Sequence, residues 1–246
     1  MGQNFISGSD GYARYRPTYP PAFFDYLNTI VTHTERAWDC GTGTGQVAEG
    51  LADIFREVYA TDISETQLAA AISLPNISYS QQAAEQTSFG ENFFDLVIAG
   101  QAVHWFDFEK FYGEVRRTGR DGAPLVICGY GRLSISKEID EVIDALYYGV
   151  LGSYWDAERR YIDEGYKTIP FPFEERSTPA FEMEYQWSLE HLVGYLSTWS
   201  AVKKYVQQNG IDPIDAVCND LQQSWGPSET RRCTFPLLLR VGTIRK

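Results

Sequence analysis

Cysteine is scarce in this chain of 246 residues, and its four cysteines show no metal-binding or disulfide pattern. Cys40, Cys128, Cys218 and Cys233 are widely separated, and none belongs to a Cys-x-x-Cys pair. Such paired spacings mark structural zinc sites, and dense cysteines mark small disulfide frameworks. We therefore expect no metal site, no disulfide scaffold and a reduced, cytoplasmic setting.

Long hydrophobic runs are also missing. No stretch approaches the ~20 apolar residues that a membrane-spanning helix needs. The first ten residues have neither a basic start nor an apolar run of signal-peptide length. The sequence thus predicts a soluble protein with no membrane partner.

Positive charge is in short supply. The chain has 21 lysines and arginines against 33 aspartates and glutamates, which gives a net charge of −12, and no dense basic block occurs. An acidic surface repels the phosphate backbone of nucleic acids and gains nothing at an anionic membrane. We expect neither of them as a partner.

The most informative feature that the chain does have is a glycine-rich turn after a short strand. It reads Arg-Ala-Trp-Asp-Cys-Gly-Thr-Gly-Thr-Gly-Gln-Val-Ala over residues 36–48. Gly41, Gly43 and Gly45 can adopt positive φ and bring the backbone close to a ligand where a Cβ would collide. The pattern predicts a nucleotide-like cofactor at the start of the following helix.

Two acids near this glycine loop limit the choice of cofactor. Asp62 ends the next strand, where its carboxylate could accept both ribose hydroxyls of an adenosine. The spacing of Gly43, Gly45 and Ala48 also satisfies the relaxed dinucleotide fingerprint, so Asp62 fits either cofactor. Asp39, two residues before the first glycine, would repel a pyrophosphate but attract a cationic, amine-bearing ligand.

Together with downstream segments, the loop resembles the first motif of the class I S-adenosylmethionine (SAM)-dependent methyltransferases. Residues 57–64, 82–89 and 93–105 resemble, in order, the family's ribose-binding strand, its adenine-contacting segment and the loop facing the reacting methyl group. The resemblance is strong over residues 36 to about 130. It implies SAM as the cofactor and S-adenosylhomocysteine as the product. The cofactor-binding residues that it implies are Tyr15, Arg16, Asp39, Gly41, Thr42, Gly43, Gly45, Asp62, Ile63, Ala84, Glu85 and Gln101.

Shorter segments are similar to the branch that includes trans-aconitate methyltransferase-like enzymes. These segments are residues 12–20, 105–107 and 196–200. In that branch the N-terminal segment folds over the cofactor, and the late aromatic segment lines the acceptor pocket. Arg16 could therefore bind either the carboxylate of the cofactor or an acidic substrate through paired hydrogen bonds. The acceptor-binding residues that we expect are Tyr12, Trp105, Trp155, Tyr195 and Trp199.

His104 follows the fourth strand, and two roles are open for it. As a catalytic residue it would remove a proton from a phenol, amine or thiol acceptor, whereas a carboxylate acceptor needs no base. Alternatively, it caps the loop or bounds the cofactor without touching the acceptor.

Helical and extended patterns alternate along the first half and predict an α/β fold with a parallel, doubly wound sheet. We expect a Rossmann-like sheet of seven strands in a single domain over residues 1–246. Its parts would be an N-terminal cap and first helix (1–35), a SAM-binding core (36–130), an inserted helical and aromatic lid (131–179), and closing strands with an acceptor-side helix (180–246). Within the last part, one helix is predicted from Ser188 to about Gln208.

These observations predict a SAM-dependent methyltransferase with a small-molecule acceptor, favouring O-methylation of a carboxylic acid, in a monomer or homodimer. Two alternatives stay open. One is an NAD-dependent oxidoreductase, which Asp39 disfavours. The other is a non-catalytic SAM-binding regulatory protein.

Overall fold

A computed structural model describes residues 14–246 of the chain. The predicted acceptor residue Tyr12 lies outside this range. The chain forms two compact units, each assembled from separate stretches of sequence. The sheet unit contains Thr18–Gly131, Arg160–Glu182 and Pro236–Lys246. The helical unit contains Arg132–Arg159, Met183–Phe235 and the described residues up to Pro17.

The sheet unit alternates strands with helices in the order that the sequence predicts. Its elements are α1 (Pro21–Ile30), β1 (Arg36–Cys40), α2 (Gln46–Ala52), β2 (Glu57–Asp62), α3 (Glu65–Ala69), β3 (Ile77–Gln81), β4 (Leu96–Gly100), α4 (Phe108–Thr118), β5 (Pro124–Tyr130), α6 (Arg160–Asp163) and β6 (Glu174–Arg176). The remaining strands are β7 (Glu182–Trp187) and β8 (Arg231–Thr243).

The strands form one sheet in the order β3-β2-β1-β4-β5-β8-β6, and β7 pairs with β8. The five strands from β1 to β5 are parallel, whereas β8 runs antiparallel to β5 and β6. The Rossmann-like α/β fold is confirmed. Over residues 14–246 the sheet has eight strands where the sequence predicted seven, because the three-residue β6 adds one at the edge.

Burial and capping explain why these segments form these elements. All seven residues of β5 are buried, as expected for a strand covered on both faces. The side chain of Ser64 accepts the Gln67 N–H at the start of α3, and Asp107 caps α4 in the same way through Lys110. Under α4 the ring of Trp38 stacks on Phe94 at 5.6 Å between centroids and is fully buried.

Among the described residues, the helical unit contains four α-helices, shorter helical turns between residues 145 and 159, and part of the closing strands. Its α-helices are α5 (Lys137–Asp144), α7 (Leu189–Ser197), α8 (Ser200–Asn209) and α9 (Pro213–Trp225). The single helix predicted from Ser188 to about Gln208 is wrong, because the chain turns extended at Trp199 (ψ 135°) and restarts as α8.

The predicted insertion, residues 131–179, is helical and aromatic but does not form one body. Its first part, to Arg159, belongs to the helical unit, and the part from Arg160 belongs to the sheet unit. Its action as a lid stays a prediction. In the part of the chain described, no helix is long and apolar enough to cross a membrane.

Candidate active site

The carboxyl ends of three parallel strands bring the predicted cofactor residues of the sheet unit to one edge of the sheet. β1 ends at Cys40 before the glycine loop, β2 ends at Asp62, and β4 ends at Gly100 before Gln101. Because these strands are parallel neighbours, the loops that follow them lie along the same edge. Ligands of doubly wound sheets bind at such an edge.

The three loop glycines are needed for different reasons. All three have positive φ, at 66° for Gly41, 57° for Gly43 and 87° for Gly45. A Cβ on Gly41 would lie 2.6 Å from the Cβ of Ala102, and one on Gly45 would collide with the hydroxyl of Tyr79. A Cβ on Gly43 would meet nothing within 4 Å. The outer glycines therefore fit the protein's own packing, and the backbone at Gly43 is open to a ligand.

Asp62 organises the glycine loop as well as ending β2. One carboxylate oxygen accepts the Gly43 N–H at 2.8 Å, and the other accepts the Ser64 N–H at 2.8 Å. Each carboxylate oxygen has two acceptor positions, so both can accept a further hydroxyl hydrogen. The sequence predicted an acid facing a ribose here, but not that the same acid holds the loop.

Asp39 is a buried carboxylic acid at the end of β1. It has no solvent exposure, and one of its oxygens, Oδ2, accepts the Thr42 hydroxyl at 2.5 Å. Burial raises the pKa of Asp39 to about 7, although the Thr42 hydroxyl and the Ala48 amide oppose this rise. Its other oxygen, Oδ1, is buried without a hydrogen-bond partner among residues 14–246. A cationic ligand would favour the ionised form of this acid.

The residues after β2 and β3 offer an apolar surface and a polar anchor. The side chain of Ile63 is 72% exposed beside Asp62, an unusual position for an isoleucine. Ala84 is buried, and the carboxylate of Glu85 accepts the backbone N–H of Asp107 at 3.0 Å. An exposed isoleucine next to the acid predicted to bind the ribose is an apolar face that an adenine ring can cover.

Gln101 and His104 follow β4 on a short segment that turns back toward β5. Gln101 has a left-handed backbone (φ 54°), and its side-chain oxygen accepts the Tyr130 N–H at 3.0 Å. His104 is buried, and its Nδ1 lies 3.2 Å from the hydroxyl of Tyr166. Trp105 differs from both, since its side chain is 55% exposed.

Tyr15 and Arg16 lie in the helical unit, against α7. The ring of Tyr15 meets His191 edge-on at 5.2 Å. The guanidinium of Arg16 lies 5.6 Å from the ring centroid of Tyr195 and donates to the Thr198 carbonyl at 3.1 Å. That carbonyl is available because the helix breaks there. The structure thus brings Arg16 together with Tyr195, one of the predicted acceptor residues.

Three aromatic residues of the helical unit form what we call the aromatic cluster: Tyr147, Trp155 and Trp199. Their ring centroids lie 4.5 Å apart for Tyr147 and Trp155, 5.4 Å for the two tryptophans, and 5.5 Å for Tyr147 and Trp199. Tyr195 joins its edge at 5.8 Å from Trp199. The predicted acceptor residues 155, 195 and 199 therefore do lie together.

The two tryptophans of the aromatic cluster differ in their hydrogen bonding. The indole N–H of Trp155 donates to the Tyr147 carbonyl at 3.1 Å. The indole N–H of Trp199, a residue only 4% exposed, has no partner in the described part of the protein. An unmade hydrogen bond on a buried donor costs about 1–3 kcal/mol, so such a group calls for an explanation.

Sequence reasoning missed two residues of these sites. Tyr166 is 62 positions from His104 and is fully buried against it. The carbonyl of Thr198 became a partner of Arg16 only because the predicted helix is interrupted. No local spacing marks either contact, since both depend on how distant segments pack.

Comparison with known proteins agrees with this geometry. A family model described as a methyltransferase domain matches residues 38–127, which include the glycine loop, Asp62 and Gln101. A chain from Anaeromyxobacter dehalogenans, assigned as a type II methyltransferase, has a similar structure with a TM-score of 0.86. It is 39% identical, and the match covers 94% of this chain and 98% of that one.

Sequence relatives give the same family. A protein assigned as a methyltransferase in Dictyostelium discoideum is 29% identical over 96% of this chain and 92% of its own length. An uncharacterised methyltransferase of Mycobacterium tuberculosis is 32% identical over 58% of this chain. Because the identity of 39% extends over nearly the whole fold, the chain belongs to the class I SAM-dependent methyltransferases.

Proposed function

We propose that this methyltransferase transfers the methyl group of SAM to a carboxylate oxygen of a small organic acid. When bound, SAM supplies a methyl group already activated by its sulfonium sulfur. The residues of the protein then have to align the acceptor with that group and exclude water. A carboxylate is a nucleophile in its ordinary ionised form, so the reaction needs no general base.

The sheet edge is suited to hold SAM. Asp62 is proposed to accept the ribose hydroxyls, while Gly43 lets the backbone approach the ligand closely. The buried oxygen of Asp39 that lacks a partner would face the positive charge of the methionine portion. Ile63 would cover the adenine. Glu85 already accepts a hydrogen bond from the Asp107 N–H, so we propose that it holds the loop after β3 in place beside the adenine.

The observation that supports an acidic acceptor is the pair of donors in the helical unit. The indole N–H of Trp199 is buried and unpaired among the described residues, and the Arg16 guanidinium lies against the neighbouring ring of Tyr195. Guanidinium groups bind carboxylates through two parallel hydrogen bonds. The aromatic cluster supplies apolar area for the rest of a small acceptor. The net charge of −12 disfavours a nucleic-acid acceptor.

A labelling screen tests the reaction. The purified chain is incubated with SAM carrying a labelled methyl group and with a panel of small carboxylic acids, phenols and amines. A methyl ester releases labelled methanol in alkali, whereas aryl ethers and methylamines keep the label. We expect base-labile label with acids. Turnover only with phenols or amines would refute the carboxylate proposal while leaving the methyltransferase assignment intact.

Trp199→Phe tests the role of the indole N–H in binding the acceptor. We expect the KM for the acid to rise about 10- to 150-fold, corresponding to about 1.5–3 kcal/mol for a lost hydrogen bond to a charged group, with SAM affinity unchanged. The matched control is Trp225→Phe in the same unit, because the N–H of Trp225 already donates to Ser228 at 3.0 Å. Equal effects of the two changes on the acceptor KM would contradict the proposal.

Arg16→Gln decides between the two roles left open for this residue. If Arg16 binds the acceptor, the KM for the acid rises and SAM affinity measured by calorimetry stays constant. If it binds the carboxylate of the cofactor, SAM affinity falls instead, and the acceptor role of Arg16 is wrong.

A further inference from the structure

Tyr19, two residues before α1, carries a buried hydroxyl in the sheet unit. The residue is 9% exposed, and its hydroxyl has no hydrogen-bond partner among residues 14–246. The thiol of Cys128 is a polar neighbour, but a thiol is only a weak donor and a weak acceptor. Buried polar groups of native proteins are normally hydrogen-bonded. The hydroxyl of Tyr19 is therefore a candidate for binding a ligand.

This hydroxyl lies over the carboxyl end of β4. A Cβ on Gly100, the last residue of that strand, would be 3.1 Å from the hydroxyl oxygen of Tyr19 and 2.7 Å from a methyl carbon of Val47. The missing side chain of Gly100 thus leaves room for the phenol. The glycine loop and Asp62 lie at the same edge of the sheet, so the hydroxyl is beside the proposed cofactor site.

Asp39 faces the same side of the sheet as this hydroxyl. It is aligned with Ile98 of β4, two residues before Gly100, and residues two apart in a strand share a face. Gly100 is aligned in turn with Cys128 of β5. Burial raises the pKa of the Cys128 thiol, the Tyr19 hydroxyl opposes this rise, and the charge of Asp39 adds to it. The carboxylate and the phenol therefore both lie near one thiol.

Asp39 and Tyr19 offer opposite hydrogen-bonding groups at this position. Oδ1 of Asp39 is a buried acceptor with no partner in the described part of the chain. Burial raises the pKa of Tyr19 well above its usual value, so its hydroxyl keeps its proton at neutral pH and can donate. An α-amino acid group carries an ammonium donor and a carboxylate acceptor on one carbon atom. It is the complement of such a pair.

We infer that Tyr19 is a cofactor-binding residue whose hydroxyl donates to the carboxylate of the methionine portion of SAM, while Asp39 faces its ammonium group. This inference rests on the proposed function, because it adds a residue to the site proposed for SAM. Both ends of the amino-acid group are then recognised within the sheet unit. That recognition agrees with a role of Arg16 in binding the acceptor.

Tyr19→Phe tests this hydrogen bond with two ligands that differ only in the carboxylate. Calorimetry measures the affinity of the wild type and the variant for SAM and for decarboxylated SAM, which keeps the ammonium group. We expect the variant to bind SAM about 10- to 150-fold more weakly, as for a lost hydrogen bond to a charged group, and decarboxylated SAM within about 2-fold of the wild type. Unchanged affinity for SAM, or an equal loss with both ligands, would overturn the inference.

Tyr112→Phe is the matched control, because Tyr112 is also buried but its hydroxyl donates to the Pro170 carbonyl at 2.6 Å. This change should lower the Tm and leave SAM affinity unchanged. Tyr19→Phe removes a hydroxyl without a partner in the described structure, so it should not lower the Tm of the ligand-free protein. A lower Tm would mean that the hydroxyl is already bonded within the protein, and the inference would fail. Because affinity is measured without any acceptor, failure of the acid screen refutes the proposed function separately from the role of Tyr19.

Discussion

Replacing Asp39 by asparagine should stabilise the ligand-free protein at high pH, although it removes a residue that we propose to face the cofactor. Burial raises the pKa of this carboxyl from 3.8 to about 7 in the folded protein. The folded state therefore binds this proton more tightly than the unfolded chain does, and stability falls as pH rises from about 4 to 7. The ionisation penalty at pH 8 is roughly 4 kcal/mol, at about 1.4 kcal/mol per pKa unit. Asparagine has no charge to bury and can still accept from Thr42.

The assay is thermal unfolding of both proteins without SAM, at pH 5 and at pH 8. The penalty grows by roughly 3 kcal/mol between these pH values, which corresponds to roughly 6–12 °C for a chain of this size. We expect the difference in Tm between Asp39→Asn and the wild type to grow by that amount, in favour of the variant, from pH 5 to pH 8. Other titrating groups cancel in the comparison, because both proteins contain them. An equal Tm difference at the two pH values would refute the reasoning.

SAM should reverse the order of stability. A cationic ligand favours the ionised form of Asp39, so its binding to the wild type releases a proton below about pH 7, and affinity rises with pH up to that point. Asp39→Asn should bind SAM more weakly and without this pH dependence. Calorimetry in buffers of different ionisation enthalpy measures the released proton directly. No proton release at pH 6 would contradict a raised pKa in the free protein.

Four further changes test the loop and the core. Gly43→Ala should cost about 1–2 kcal/mol of stability because the backbone there is left-handed, and it should weaken SAM binding. Gly45→Ala should lower the Tm further than Gly43→Ala does, because its Cβ also collides with the hydroxyl of Tyr79. The two carboxylate oxygens of Asp62 each accept one backbone N–H, whereas asparagine has a single acceptor oxygen for both. We therefore expect Asp62→Asn to lower SAM affinity at least 10-fold, measured by calorimetry. Arg117→Met should cost about 3–5 kcal/mol in denaturant unfolding, because the buried carboxylate of Glu114 keeps its hydrogen bonds from Thr87 but loses its positively charged partner. Burial alone would raise the pKa of Glu114, but Arg117 and its other partners lower it, so the variant should lose more stability at pH 7 than at pH 4. Equal losses at the two pH values would contradict this assignment.

Much of the sheet unit could be predicted because its signals are local. The strand before the glycines, the capping serine at Ser64 and the apolar run of β5 depend on neighbours within a few residues. The alternation of strands and helices then requires parallel connections, and these place Asp62 and the glycine loop at one edge. The second half offered weaker signals, so the interruption of the helix at Trp199 was missed.

The sequence by itself determined the cofactor edge, because the spacing of the glycines and acids is a local signal that can be recognised without the tertiary structure. Only the tertiary structure decided which distant groups share a hydrogen bond or a cavity. The contact of His104 with Tyr166 crosses 62 positions and depends on a left-handed turn that only packing can enforce. The N–H of Trp199, which has no partner within residues 14–246, likewise became visible once its neighbours were in place. Local chemistry thus identified the methyl donor, whereas the residues proposed to recognise the acceptor emerged from long-range packing.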